Sequence, residues 1–423
     1  MKLIEPNHAH PAAGILQNLV ANMVHWHATD LHLRRNRPVM ARVKGALQVA
    51  SRWNQLTDEK GVPLASFDFN AARTALLQGT DRGVTVVYRL KEKYQVRVQI
   101  LKDDREEKLL LRLQPRTPPR LESVLAANPK TLDLIANAKG LILVSGPAGS
   151  GKTTLAASMA DYLACLHRHI ITLEDPVEYY LDPENGEVSQ FTCRMMQEEP
   201  LGRLTELPQN GNRSLGVPDE FIRHTAKSAG SHELSVPTEL STDLNHGRAD
   251  TTRKITSLDA HIPDILRGDM DALYIGETRT PAALKACLTF AGSHEPVITT
   301  FQAGGIADAL ARLIVSAGEV VGQETARLLI AQCLQAIFYV NLAFTEAGTP
   351  VPVITCLPIA GISLRKIISE NSPLLLANQI DQQLKDGATG TGLINRSMAM
   401  SRARSAGVPQ ESIETALPFE GRV

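Results

Sequence analysis

The sequence has few cysteines and few aromatic residues, and it lacks any long apolar run. Its five cysteines are scattered over 423 residues without a C-x-x-C pair, which argues against a disulfide framework or a cysteine zinc site. Aromatic residues make up only 4%, so the core must consist mainly of Leu, Ile, Val and Ala. No stretch approaches the roughly 18 apolar residues of a membrane span, and the first residues contain no apolar core of a secretory signal. These absences favour a cytoplasmic protein that associates with a membrane only peripherally.

The chain also lacks an excess of either charge. Lys and Arg total 44 against 45 Asp and Glu, which gives a formal net charge of −1. This balance provides no general attraction to nucleic acid, and no basic stripe with interleaved aromatic residues is visible. A direct nucleic-acid partner is therefore not expected.

The pattern of apolar residues divides the chain into regions. Residues 1–114 contain short alternating runs that predict a small α/β domain with an antiparallel sheet. Prolines in residues 115–120 indicate a stiff linker. In residues 121–359, apolar strands alternate with helices, which predicts a mostly parallel sheet covered on both faces. A long polar insertion at about 181–257 interrupts this domain, and residues 360–423 are predicted to form a helical C-terminal region.

The clearest motif is GPAGSGKT, which fits the P-loop pattern G-x-x-x-x-G-K-[ST] completely. It follows the apolar strand LILVS and precedes a helical segment, so its backbone N–H groups can face phosphate oxygens at a helix N-terminus. We therefore predict an ATP site in which Lys152 neutralises the β- and γ-phosphates and Thr153 supplies an oxygen to Mg²⁺. The predicted binding residues are Gly146, Pro147, Ala148, Gly149, Ser150, Gly151, Lys152, Thr153 and Thr154.

Two further apolar strands end in acidic side chains. The segment LEDPVEY places Glu174, Asp175 and Glu178 after one strand, and ALYIGE ends in Glu277. In a parallel sheet, ligands bind at this carboxyl edge, and phosphoryl transfer needs acids that hold Mg²⁺ and orient water. The catalytic candidates are Glu174, Glu178 and Glu277, and the metal candidates are Thr153, Asp175 and Glu277. Each acid taken alone also fits a solvated strand end or a helix cap.

Taken in order, the segments GLILVSGPAGSGKTT, HIITLEDPVEY and LRGDMDALYIGETR resemble the PilT-type branch of the secretion and pilus ATPase superfamily. Within that superfamily, these segments most resemble the DotB/TraJ-like ATPases of type IVB secretion and conjugation. The segment ATDLHLRRNRPVMARVKGAL is similar to the opening of the family's N-terminal domain. The resemblance implies a PAS-like α/β domain, a RecA-like P-loop domain and a homo-hexameric ring that binds ATP between the two domains.

The resemblance also implies roles for particular residues. Residues 174–178 match the family's acidic Asp box, and Glu277 matches its Walker B glutamate. Arg97 and Arg112 fall where the family uses arginines of the N-terminal domain on the γ-phosphate, which makes both catalytic candidates. The alternative is that these arginines are exposed strand residues paired with the acids in residues 104–107.

One motif departs from the family pattern. The family's histidine box normally ends in a T-L-H-T-like string, whereas this chain reads TTFQA and has Gln302 in place of the histidine. His294 is the candidate for the other family histidine, with its register displaced by one. Gln302 can hydrogen-bond a γ-phosphate or a water molecule but cannot carry charge. We therefore predict that Gln302 contacts the nucleotide and that turnover or nucleotide sensing is altered.

These observations together predict a Mg²⁺-dependent ATPase that acts as a hexameric motor of a type IV pilus or a type IV secretion or conjugation machine. Its partner would be an inner-membrane platform protein, which only the resemblance implies. Two alternatives stay open. The first is an ATP-binding assembly or regulatory subunit with little turnover, which Gln302 favours, and the second is a RecA-type nucleic-acid motor.

Overall fold

The structure is a computed structural model that describes eleven stretches of the chain and a few isolated residues. The stretches, which contain gaps of one or two positions, are residues 2–4, 19–50, 69–77, 85–90, 94–102, 106–181, 186–193, 254–255, 268–359, 361–370 and 392–417. All described residues belong to one compact unit formed by Met1–Met195 and Thr252–Val423. None of the helices in these stretches is both long enough and apolar enough to cross a membrane.

The strands of the first region form one sheet. They are β1 (Lys2–Ile4), β2 (Ala28–Arg34), β3 (Met40–Val43), β4 (Ala46–Val49), β5 (Thr85–Leu90), β6 (Tyr94–Lys102) and β7 (Glu107–Pro115), with helix α1 (Phe69–Leu77) between β4 and β5. The order across the sheet is β1-β5-β6-β7-β2-β3-β4, and the pairs are antiparallel except for β1 with β5. This confirms the predicted N-terminal antiparallel sheet.

Strand β6 shows how side-chain alternation directs the two faces of this sheet. Val96, Val98 and Ile100 are buried in the same core as residues of α1. Because successive side chains of a strand point to opposite faces, Gln95 and Arg97, which lie at the alternate positions, project from the other face. That face contributes side chains to the site described below.

The remaining elements build a second sheet and its helices. In chain order they are α2 (Leu121–Val124), α3 (Pro129–Ala136), β8 (Leu141–Gly146), α4 (Lys152–Cys165), β9 (His169–Glu174), β10 (Glu187–Cys193), β11 (Lys254–Ile255), β12 (Ala272–Ile275), α5 (Pro281–Ala291), β13 (Val297–Gln302), α6 (Ile306–Val321), α7 (Gln323–Cys333), β14 (Leu334–Phe344), β15 (Pro350–Pro358), α8 (Ile362–Glu370), α9 (Arg396–Ser405) and α10 (Gln410–Ala416). The strand order is β11-β10-β9-β12-β13-β8-β14-β15, and every pair is parallel except β14 with β15.

Helices cover both faces of the second sheet, as its apolar strands predict. Residues of α5, α6, α7 and α8 share one buried core with the sheet, while α4, α9 and α10 share the other. Every residue of β8 is buried, which is typical of a parallel strand between two helical layers. The predicted α/β fold class is thus confirmed, and the domain boundaries drawn at residues 114, 120 and 359 stay predictions.

Two strands of the second sheet lie inside the stretch predicted as an insertion. Strand β10 lies within residues 181–257 and pairs with β9, and the short β11 pairs with β10. The segment EVSQFTC was overlooked because its polar residues obscure its strand pattern. Residues 188–192 are only half-buried, and Glu187 is exposed. Residues 194–253 of the predicted insertion lie outside the described residues. The antiparallel pair β14–β15 was also missed.

The proline-rich segment 115–120 is bonded to the second region at two points. The Tyr180 N–H donates to the carbonyl oxygen of Arg116 at 2.8 Å. The Ser158 hydroxyl, on helix α4, donates to the carbonyl oxygen of Pro119 at 2.7 Å. The segment is therefore held by the same helix and loop that carry the predicted site residues.

Candidate active site

The P-loop residues form a tight turn between β8 and α4. Gly146 has a φ of +155°, and a Cβ atom there would lie 2.2 Å from the Val340 carbonyl oxygen on β14. Only glycine fits so close an approach. Gly151 takes the left-handed conformation with a φ of +93° immediately before α4 begins at Lys152. The N-terminus of α4 thus opens toward the loop, as the binding of phosphate at a helix N-terminus requires.

Lys152 is almost fully buried in this turn. Its Nζ donates to the carbonyl oxygen of Pro147 at 2.7 Å, so the ammonium lies against the loop that the motif predicts to hold phosphates. Ser150 is also buried, with an exposed fraction of 2%. Its hydroxyl is among the buried polar atoms of the described residues for which the structure gives no partner.

The register of the sheet brings the ends of four neighbouring strands to one edge. Gln302, the last residue of β13, pairs with Gly146 at the end of β8. The N–H of Gly276, just after β12, donates to the Leu173 carbonyl of β9 at 2.9 Å. Gln302 Nε2 donates to Glu277 Oε1 at 3.1 Å. The predicted P-loop, Gln302 and Glu277 are therefore joined at the carboxyl edge, although their roles stay predictions.

Glu174 lies at the same edge but beneath its surface, with an exposed fraction of 2%. Its Oε1 accepts from the Thr172 hydroxyl at 2.9 Å, and its Oε2 accepts from the Glu178 N–H at 3.4 Å. Burial raises the pKa of the Glu174 carboxyl to about 8, although these two hydrogen bonds oppose the shift. A carboxyl group with a pKa close to neutral suits proton transfer, which is consistent with its predicted catalytic role.

Because this pKa lies above the ordinary 4.5, the folded chain keeps a proton that the unfolded chain loses. The contribution of Glu174 to the free energy of unfolding should be largest below the ordinary pKa and should fall by up to about 4 kcal/mol as the pH rises toward 8. Glu174→Gln stays neutral and should remove this decline. Urea unfolding of both proteins across this pH range measures it. Glu346→Gln, an exposed acid between β14 and β15, is the control, and an unchanged slope in Glu174→Gln would contradict the assignment.

The loop that follows Glu174, the acidic loop of residues 175–181, contacts helix α4 and the N-terminal sheet. The Tyr179 hydroxyl lies 2.8 Å from the Thr154 Oγ1 of helix α4. Glu178 Oε1 lies 3.7 Å from Arg97 Nη1 of β6, and the neighbouring Gln95 donates from its amide to the Glu178 carbonyl. One predicted catalytic acid and one predicted catalytic arginine are therefore brought together.

The structure places Arg112 differently from Arg97. The two residues are directly opposite each other on β7 and β6, but the side chain of Arg112 is 56% exposed and its Nε lies 2.7 Å from Asp30 Oδ1 of β2. Asp104 lies outside the described residues. Among the residues that are described, the ion-pair partner of Arg97 is Glu178, and that of Arg112 is Asp30. The simple alternative of local hairpin pairing is not what the described residues show.

The predicted metal ligands Thr153, Asp175 and Glu277 all offer oxygen atoms, which Mg²⁺ prefers. Among the residues that the structure describes, no group of three or more His, Cys, Asp or Glu is placed to hold a metal ion. Magnesium in nucleotide sites is commonly held by one or two protein groups together with phosphate oxygens and water. The donor set therefore fits Mg²⁺ bound jointly with a nucleotide.

Several contacts at this site were missed from the sequence. Tyr179 and Gln95 were not singled out, although the alternation that exposes Arg97 places Gln95 on the same face of β6. Gln190 was missed because it lies in the polar stretch taken for an insertion. Arg279 and His294, which adjoin the predicted motifs, lie outside the described residues.

Comparison with known proteins finds similarity to secretion and pilus proteins. The protein family described as "Type II/IV secretion system protein" matches residues 7–197. A twitching motility protein of Neisseria gonorrhoeae is 25% identical over 364 residues, which cover 85% of this chain and 79% of the relative. A type IV pilus retraction ATPase of Pseudomonas aeruginosa is 43% identical over 65 residues, covering 15% of this chain and 18% of the relative.

Solved structures share the fold along most of the chain. The ATPase DotB of Yersinia pseudotuberculosis aligns with a TM-score of 0.63 at 15% identity and covers 98% of this chain and 96% of its own. The pilus retraction motor PilT with bound ADP aligns with a TM-score of 0.57 at 22% identity, covering 91% of this chain and 95% of its own. At these identities the likeness concerns the fold.

Proposed function

We propose that this chain, which is similar to type II/IV secretion system proteins over residues 7–197 and to a twitching motility protein along most of its length, is a ring-forming motor that powers a type IV pilus or a type IV secretion or conjugation machine. The chain is an ATP-binding ATPase. The observation that carries the proposal is the contact between Glu178 of the ATPase sheet and Arg97 of the N-terminal sheet.

In the proposed mechanism, residues of two sheets act on one nucleotide. The amides of the P-loop and the Lys152 ammonium bind the phosphates, since they lie at the N-terminus of α4. Thr153, Asp175 and Glu277 would hold Mg²⁺, which would supply positive charge to the phosphate oxygens. Glu277 orients the attacking water, while its hydrogen bond from Gln302 fixes the carboxylate.

Arg97 couples this chemistry to motion. When a γ-phosphate is present, the guanidinium gains a second anionic partner besides Glu178, and after hydrolysis it loses that partner. The N-terminal sheet, which carries Arg97, is then biased between two positions relative to the P-loop. A change of this kind repeated around a closed ring of identical subunits yields directed movement.

The choice of machine and partner rests on the relatives. A twitching motility protein and a pilus retraction ATPase are among them, which supports a pilus, and the shared fold with two DotB ATPases is compatible with a secretion apparatus. We propose that the motor works at the cytoplasmic side of an inner-membrane platform protein, to which it attaches peripherally.

Electron microscopy of the purified chain tests the ring directly. With Mg²⁺-ATP we expect six-fold symmetric particles whose outline differs from that of particles prepared with ADP, because Arg97 loses its phosphate contact on hydrolysis. The variant Arg97→Ala should still form rings but should show no difference between the two nucleotides. Particles that stay monomeric with both nucleotides would contradict the proposal.

A second candidate is an ATP-binding assembly subunit of the same machine with slow turnover. The observation that favours it is Gln302, which contacts Glu277 yet cannot carry a positive charge toward developing phosphate charge. Tight nucleotide binding by the purified ring without steady phosphate release would select this candidate. For a nucleic-acid motor, no specific observation of the described residues speaks in favour.

A further inference from the structure

Gln190 lies on the edge side of the site, one strand beyond Glu174. It pairs with Thr172 in the register of β10 against β9, and its side chain is half-buried. The sequence pattern assigned it to an insertion, and none of the roles proposed above uses it. Its amide nevertheless forms hydrogen bonds with two residues of the acidic loop.

Both ends of the Gln190 amide are engaged by the loop. Nε2 donates to the Tyr179 carbonyl at 2.8 Å and lies 3.5 Å from Glu174 Oε1. Oε1 accepts from the Leu181 N–H at 3.0 Å. A single side chain thus satisfies two backbone groups on either side of Tyr180 and approaches the carboxyl group from which the loop starts.

These bonds substitute for the strand pairing that the loop lacks. After β9 ends at Glu174, the backbone of residues 179–181 leaves the ladder, and its polar groups need partners because Tyr179 and Leu181 are buried. The amide of Gln190 offers a donor and an acceptor in one plane, which is what a neighbouring peptide group would offer. Shorter or apolar side chains at this position cannot do both.

The positions of two functional side chains depend on that stretch of backbone. Tyr179 reaches Thr154 at the start of helix α4, and Glu178 reaches Arg97. We infer that Gln190 is a positioning residue for ATP hydrolysis: its amide fixes the acidic loop so that Glu178 faces Arg97 and the Tyr179 hydroxyl meets the P-loop helix. This inference rests on the ATPase activity of the proposed function, but it concerns a residue that the activity does not require to touch the nucleotide.

The variant Gln190→Met tests the inference because methionine keeps the length and volume of the side chain and removes both hydrogen-bonding groups. We expect kcat for phosphate release to fall about tenfold or more, since misplacing catalytic groups by a fraction of an ångström weakens only the transition state. KM for ATP should change by less than about threefold, because the P-loop is untouched. Ser189→Ala is the matched control: its hydroxyl lies 3.1 Å from His169 Nε2, away from the acidic loop, and kcat should stay parental.

A double-mutant cycle separates positioning from general loss of structure. If Gln190 acts through the acidic loop, Gln190→Met should lower kcat much less when Glu178→Gln is already present, because the two changes disable one unit. Additive losses in the cycle, a parental kcat in Gln190→Met, or a rise in KM in step with the fall in kcat would each overturn the inference. Should Gln190→Met not fold, Gln190→Glu decides. Its carboxylate can still accept from the Leu181 N–H, but it turns an acceptor instead of a donor toward the Tyr179 carbonyl. A fall in kcat with KM within about threefold of the parent supports the inference, and a parental kcat overturns it.

The parent protein and Lys152→Ala are assayed in the same series. A parent without turnover above the Lys152→Ala background would speak against the proposed hydrolysis itself. A parent with turnover that Gln190→Met reproduces would speak against the role of Gln190 alone.

Discussion

Replacing Lys152 by alanine should abolish steady phosphate release from Mg²⁺-ATP, with a loss of at least about 10²–10³-fold. The Lys152 ammonium lies against the P-loop, where it donates to the Pro147 carbonyl. When triphosphate binds, this positive charge is already placed at the phosphates and needs little reorganisation, which is the condition under which an electrostatic contact contributes most to the rate. Release of phosphate from saturating ATP measures the effect.

The matched control for this experiment is Lys285→Ala. Lys285 is exposed on helix α5, so its removal takes away the same charge without touching the P-loop. Its turnover should equal that of the parent, because exposed lysines contribute little to stability or function. Turnover of Lys152→Ala within about threefold of the parent would remove the P-loop from the mechanism, given the rate loss expected for a lost phosphate contact.

The second large loss of activity is expected when Arg97 of the N-terminal sheet is replaced. Arg97→Ala should lower kcat by about 10³-fold, in the range known for arginines that stabilise developing phosphate charge. Arg97 is half-buried and already meets the acidic loop, and the structure gives no partner for its buried Nε. Lysine at this position should restore little of the loss, because an ammonium lacks the planar fork of donors.

Arg112→Ala serves as the internal comparison. Its guanidinium is more than half exposed and is paired with Asp30. Arg97, in contrast, is paired with Glu178 of the acidic loop. We expect a smaller loss of kcat than in Arg97→Ala under the same assay. A larger loss would show that Arg112 leaves Asp30 for the phosphate in the assembled ring, and the geometry described for Arg97 would then not be the active one.

The residues of the site that could be predicted from the sequence are those whose type is required by the backbone conformation or by the position of a strand end. The P-loop could be predicted because only glycine tolerates the conformations at Gly146 and Gly151. In addition, a lysine and a threonine directly after such a turn are typical of phosphate binding. The positions of Glu174 and Glu277 could be predicted because buried strands of a parallel sheet end at a common edge. These residues lie where their motifs suggested, although their chemical roles await the experiments above.

Other parts of the site could not be predicted, since they depend on contacts between distant segments. Nothing near Gln190 in the chain indicates that its amide serves a loop nine residues earlier, because the local pattern of EVSQFTC is polar on both faces. The burial of Glu174, and with it the raised pKa, follows from packing under the acidic loop rather than from its neighbours in sequence. Likewise, only the sheet register decides that Arg97 meets Glu178 while Arg112, its cross-strand neighbour, meets Asp30.

The hydrogen bonds of the proline-rich segment have a consequence for how force would leave the site. Arg116 and Pro119 are tied to the acidic loop and to helix α4, and prolines leave the segment between them few ways to yield. A flexible linker would absorb a small displacement at the phosphates as thermal motion. A rigid linker transmits the displacement between the two sheets, so this segment should act as a lever arm.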